Sequence, residues 1–158
     1  MVSLALSLAR DCGHEDIRHL AILSAAKLKL LENDLKHYPQ IHLDLNSVER
    51  YARITGMQRL ECEVTQIRAI LHERSGDMIT AGAQATQSLE IATRCDLRIR
   101  TISNLSLLAR INHKRGQPSA AIAMLEEAMT MARACDWNAG LSMAQRLLSK
   151  IVAANAGI

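Results

Sequence analysis

The chain has 158 residues, 49% of them hydrophobic, which suits one folded domain rather than a disordered segment. Its 19 basic and 16 acidic residues leave a net charge of +3, too even a balance for a polyanion binder. No apolar run approaches the roughly 18 residues that span a bilayer, and the opening MVSLALSLARDCGHED lacks the cationic stretch of a signal peptide, so a cytoplasmic chain with reduced cysteines is expected.

Phenylalanine is absent, the aromatics are Tyr38, Tyr51 and Trp137, and only Pro39 and Pro118 break the backbone pattern. Ala, Leu, Ile and Met must fill the core, and small Ala with helix-forming Leu favours close-packed helices over sheet. In chain order, the apolar spacing predicts eight helices, over 3–12, 15–32, 41–54, 57–74, 78–94, 97–115, 119–134 and 137–154. Leu105, Leu108, Ile111 and Asn112 mark the buried stripe of the sixth. Ile122, Leu125, Met129 and Ala132, at spacings of 3, 4 and 3, mark that of the seventh, and Pro118 suits its first turn. Asp96 and Asp136 are expected to N-cap the helices that follow them. A loop around Asp34–Gln40 holds Pro39.

The elements repeat. Ala9, Ala52, Ala92 and Ala132 open similar short segments on a period of about 40 residues, a length typical of paired-helix repeats. Asn33, Gly76 and Gly116 each follow their alanine at one constant offset and suit a left-handed helix end. A small residue, Ala26, Ala69, Ala109 or Ser149, holds a third shared position. Three markers on one period argue for stacked helical hairpins, with repeats at about 1–33, 34–76, 77–116 and 117–158.

The pattern resembles the tetratricopeptide repeat. Leu108-Ala109 is similar to that family's Leu-Gly step, Gly116 to its inter-helix glycine, and Ala121-x-x-x-Leu125 with Ala128 to its second-helix motif. The long period resembles that of the longer-repeat subset of the family; HEAT-type repeats of similar length are the structural alternative. The resemblance implies an all-α, right-handed α-α superhelix of about eight antiparallel helices forming one domain. The first and last helices read as half-repeats, so a piece of a longer array is expected, with open ends that favour a homodimer.

What the resemblance implies for function is a scaffold that holds a partner peptide or helix in a concave groove lined by first helices, with no catalytic, metal or cofactor site. Carried over by register, the groove positions are Lys27, Arg110 and Lys150 on one line, Gln66, Ser106 and Arg146 on another, and Arg74, His113 and Lys114 near the helix ends. The repeated cation points to an acidic partner, although Glu63 and Glu73 fall on the same face. A signal-sensing domain of a transcriptional or signalling protein is the second reading. A helical-repeat nucleic-acid binder is the third, disfavoured by modest charge and few stacking aromatics.

Other constellations point to packing. Cys12, Cys95 and Cys135 share a repeat position and read as small buried residues. His14 and His19 near Cys12 lack further ligands and read as surface histidines, as do His37 and His42 beside Pro39. No phosphate-binding glycine loop, serine elbow or HExxH motif is present.

Overall fold

A computed structural model describes residues 13–32 and 35–155. They form seven α-helices: α1 (Glu15–Leu31), α2 (Tyr38–Thr55), α3 (Gln58–Ser75), α4 (Met78–Arg94), α5 (Arg98–Lys114), α6 (Pro118–Ala134) and α7 (Asn138–Asn155), with a 3-10 turn at Leu35–His37 before α2. The expected all-α solenoid is what these residues adopt. Six of the seven helices match the expected spans to within one residue at each end. α2 starts earlier than expected, because Pro39 sits in its first turn, where the missing N–H costs nothing, rather than in a loop. The expected helix 3–12, Asn33 and Cys12 lie outside the described residues.

Each helix packs on its chain neighbours, and α1–α3, α3–α5 and α5–α7 also touch. The intervening helices α2, α4 and α6 make no comparable contact with one another among the described residues. The stack therefore curves with α1, α3, α5 and α7 on its inner side. The shared alanine-sized positions make that approach possible: Ala26, Ala69 and Ala109 are wholly buried, as are Ala92 and, within 1%, Ala52 and Ala132. Inserting a larger side chain at such a contact costs about 1–3 kcal/mol. Ser149, at the first of these positions in α7, is exposed.

The core runs continuously along the stack. Leu23, Leu30, Ile41, Leu45, Leu60, Ile67 and Leu71 join α1, α2 and α3. Ala69, Ala81, Ala85, Leu108 and Ile111 join α3, α4 and α5, and Leu105, Leu125, Ala144 and Ile151 continue into α7.

The helix ends follow a finer period than the sequence suggests. Gly56, Gly76, Asp96, Gly116 and Asp136 all have positive φ, so a left-handed residue recurs at every half-repeat from Gly56 onward. At Asp96 the backbone donates to Thr93 O at 3.2 Å and Leu97 N donates to Ala92 O at 2.8 Å, a Schellman closure of α4. Asp136 and Trp137 close α6 in the same way. This corrects the N-cap expectation: Asp96 and Asp136 end the preceding helices, and Leu97 holds the N-cap of α5. Aspartate suits both sites, since its short polar chain also tolerates the left-handed region. The capping aspartate is instead Asp77, whose carboxylate accepts from Thr80 N at 3.0 Å.

Two of the histidines, His19 and His42, also depart from a surface reading, while His14 is exposed as expected. His19 is 5% exposed, stacks on Tyr51 with ring centres 4.0 Å apart, and its Nδ1 lies 2.6 Å from the Glu15 carbonyl. His42 lies half-buried within α2, 6.2 Å from the His72 ring. Burial, then the nearby His72 and Arg68, hold its pKa below the ordinary histidine value.

Candidate functional site

The inner row of helices carries all nine sequence-expected groove positions, and several of its charges are arranged around two carboxylates of α3. Glu63 is 3% exposed. It accepts from Lys27 Nζ of α1 at 2.5 Å and from Arg100 Nη2 of α5 at 2.5 Å, with Arg59 Nε 3.6 Å away. Glu73, also 3% exposed, accepts from Arg110 Nε and Nη2 at 2.7 and 2.5 Å and from Lys114 Nζ at 2.8 Å. Both glutamates therefore tie neighbouring inner helices together, α1–α3–α5 through Glu63 and α3–α5 through Glu73.

Burial alone would raise the Glu63 carboxyl, but the Lys27 hydrogen bond and the Lys27, Arg100 and Arg59 charges outweigh it and hold its pKa below the ordinary value. Burial likewise raises Glu73, and Arg110 and Lys114 more than reverse it. Each carboxylate neutralises one cation. Local positive charge is therefore left over at both.

The remaining expected positions divide by burial. Gln66 is 8% exposed and donates to Asn104 Oδ1 at 2.9 Å; Asn104 Nδ2 donates to Ser88 Oγ at 2.9 Å, and Ser88 Oγ donates to the Cys62 carbonyl at 2.8 Å. This buried chain links α3, α4 and α5. Ser106 is 4% exposed and turns back on the Ile102 carbonyl at 3.0 Å. Arg74 donates to the Leu30 carbonyl at the end of α1. His113 is half-buried on α5.

Arg146 and Lys150 differ from the rest. Both are exposed on α7 and have no carboxylate within ion-pair distance among the described residues. The repeat register explains why. Advancing Arg110–Glu73 by one repeat gives Lys150 and His113, so the acidic half of the pair is missing between α5 and α7. With Arg110, Met143 and Leu147, these two cations line an open cleft of about 300 Å³. The structure thus brings Arg110, Arg146 and Lys150 together at one end of the inner face and leaves Lys27 at the other.

This curved row of hairpins agrees with comparison to known families. A sequence model of the tetratricopeptide repeat matches residues 62–134, from α3 through α6. Residues 62–134 are thus similar to tetratricopeptide repeats. No curated protein matches the chain. Tetratricopeptide repeats generally mediate protein–protein interactions and generally serve as non-enzymatic scaffolds. Among the described residues, no three His, Cys, Asp or Glu side chains converge as metal ligands, and no helix is long and apolar enough to cross a membrane.

Sequence reading named Glu63 and Glu73 on the inner face but did not pair them. The signal was present in the offsets: Arg100 and Arg110 each stand 37 residues from their glutamate, three short of the 40-residue repeat, as a side chain one turn along a neighbouring helix requires, whereas Lys27 stands 36 residues from Glu63 across the longer first repeat. A second cleft, around Arg59, Arg100 and Trp137, went unnoticed at the start of the same helices.

Proposed function

We propose that this chain is a protein-interaction scaffold whose inner face holds an acidic peptide or partner helix, within a larger cytoplasmic regulatory protein or assembly. The observation that carries the proposal is the missing acid between α5 and α7, which leaves Arg146 and Lys150 unneutralised beside apolar Met143 and Leu147. An acidic segment with apolar side chains complements such a cleft in both charge and surface. In this reading Arg146 and Lys150 make the principal contacts. Arg110 lines the same cleft and Lys114 and His113 follow it on α5, while Lys27 and Arg74 lie farther along the inner face towards α1. Gln66 and Ser106 shape the helices beneath.

Panning a random-peptide display library against this protein tests the proposal. The wild type is expected to enrich acidic sequences that the double variant Arg146→Glu/Lys150→Glu no longer retains. Recovery of the same peptides by both proteins overturns the assignment of this cleft.

A further inference from the structure

A cleft of about 660 Å³ lies away from the α5–α7 cation cluster, across the starts of the inner helices. Arg59, Leu97, Arg98, Ile99, Arg100 and Trp137 form most of its wall. Its volume is that of a small-molecule site.

The repeat register shows that this cleft departs from the scaffold's own rules. Residues 60, 100 and 140 are equivalent, one per repeat. At the first stands Leu60, 1% exposed and part of the core. At the second stands Arg100, its guanidinium half-buried and held by Glu63 at 2.5 Å. At the third stands Gly140, and a Cβ built there would lie 2.1 Å from the Trp137 ring. Two successive repeats therefore replace a packing leucine, once by a cation and once by an absent side chain. The second replacement lets the chain's one tryptophan lie against the α7 backbone and wall the cleft.

The charge around this cleft is unbalanced. Lys27, Arg59 and Arg100 all surround the single Glu63 carboxylate, and Arg98 faces only the exposed Asp96 at 3.2 Å. The cleft wall itself holds three arginines, Arg59, Arg98 and Arg100, against the one carboxylate of Asp96, and Glu63 behind it is shared with Lys27, so positive charge is left over beside an indole and two aliphatic side chains. That combination matches a ligand with a planar ring and a doubly charged anion: the ring stacks on Trp137 and the anion meets guanidinium groups that suit bidentate binding.

We propose that this cleft binds a small aromatic phosphate monoester, with Trp137 as the ring platform and Arg98, Arg100 and Arg59 as the anion site. The site is separate from the acidic-partner cleft and does not depend on it.

Trp137 supplies the readout, because all tryptophan emission comes from the site itself. Phenyl phosphate and adenosine monophosphate are titrated separately, and inorganic phosphate serves as the ringless control. Saturable change in Trp137 emission with either ring-bearing phosphate, and at least tenfold weaker binding of inorganic phosphate, is the expected result. Arg100→Leu restores the residue that the second repeat packs at this register, so the fold is retained while about tenfold of the affinity is lost. Arg98→Gln, on an exposed side chain, gives a second loss in a variant with unchanged thermal stability. Arg146→Glu/Lys150→Glu leaves the titration unchanged. Equal affinity for inorganic phosphate, no saturable response to either ring-bearing ligand, or wild-type affinity in both Arg100→Leu and Arg98→Gln overturns the proposal.

Discussion

Arg110 of α5 grips the Glu73 carboxylate of α3 with two nitrogens, at 2.7 and 2.5 Å, across a sequence separation of 37 residues. The guanidinium is 42% exposed while the carboxylate is only 2% exposed. The two partners therefore differ in what their removal does. An exposed guanidinium without its acid returns to water at little cost. A buried carboxylate without its cations remains charged and poorly solvated.

Removing both cations from Glu73 is accordingly expected to be worse than removing the acid. Glu73→Gln, which keeps a carbonyl acceptor for Arg110, should lower unfolding free energy by about 1–2 kcal/mol. Arg110→Ala/Lys114→Ala should cost about 3–5 kcal/mol at neutral pH. Urea unfolding of the three proteins checks the order, and a double variant no less stable than Glu73→Gln contradicts it.

The same carboxylates set the acid limb of stability. The folded state holds Glu63 and Glu73 below their ordinary value of 4.5. A depressed folded pKa gives stability that is present above the unfolded pKa and lost as pH falls through the folded one. Thermal stability should therefore be level above about pH 5 and fall as pH drops below about 4.5. Asp77 adds to the same trend, since the Thr80 side-chain and backbone hydrogen bonds hold its pKa low. In Glu63→Gln/Glu73→Gln the plateau should sit lower and the acid fall should be shallower. A double variant with the wild-type pH slope would show that other groups control it.

The left-handed turns give a third expectation. Gly76 has φ +87, and a Cβ there meets no neighbour within 4 Å, so the penalty of a side chain is one of backbone conformation alone. Gly76→Ala should cost about 1–2 kcal/mol. Asp96, already in that region at φ 50, should tolerate Gly with a change within about 0.5 kcal/mol, since its ion pair with Arg98 is exposed. Equilibrium denaturation of the two variants compares them, and equal effects would refute the conformational account.

Legibility of the fold in the sequence tracks how local its causes are. Ala52, Ala92 and Ala132 were readable because a small residue at a close helix crossing leaves a periodic mark, and all three are buried. The helix spans were readable from the same period. The turns were half readable: glycine at 76 and 116 has few alternative uses, whereas aspartate at 96 and 136 serves equally well at a helix start or a helix end. On the inner face, the line of cations was legible as a pattern. Whether each cation meets an acid depends on the lateral approach of two helices about a repeat apart, which a residue's own register does not express. Gln66 illustrates the point: its position faces the next inner helix, and only the approach of Asn104 makes that position a buried hydrogen bond.

Gly140 carries the last expectation, because its effect reverses sign with one neighbour. It lies in the first turn of α7, where Ala is ordinarily about 0.5–1 kcal/mol more favourable than Gly. A Cβ at that position would lie 2.1, 2.4 and 2.7 Å from three atoms of the Trp137 ring, so the indole must leave its place. Gly140→Ala in the wild type is thus expected to destabilise by about 1–3 kcal/mol, as overpacking does, and to shift tryptophan emission. In a Trp137→Ala background the obstacle is gone, and the same substitution should stabilise by about 0.5–1 kcal/mol. The double-mutant cycle measures this coupling directly. A stabilising Gly140→Ala with unchanged emission in the wild type would mean that the indole does not rest on α7, and the wall of the cleft beside it would have to be redrawn.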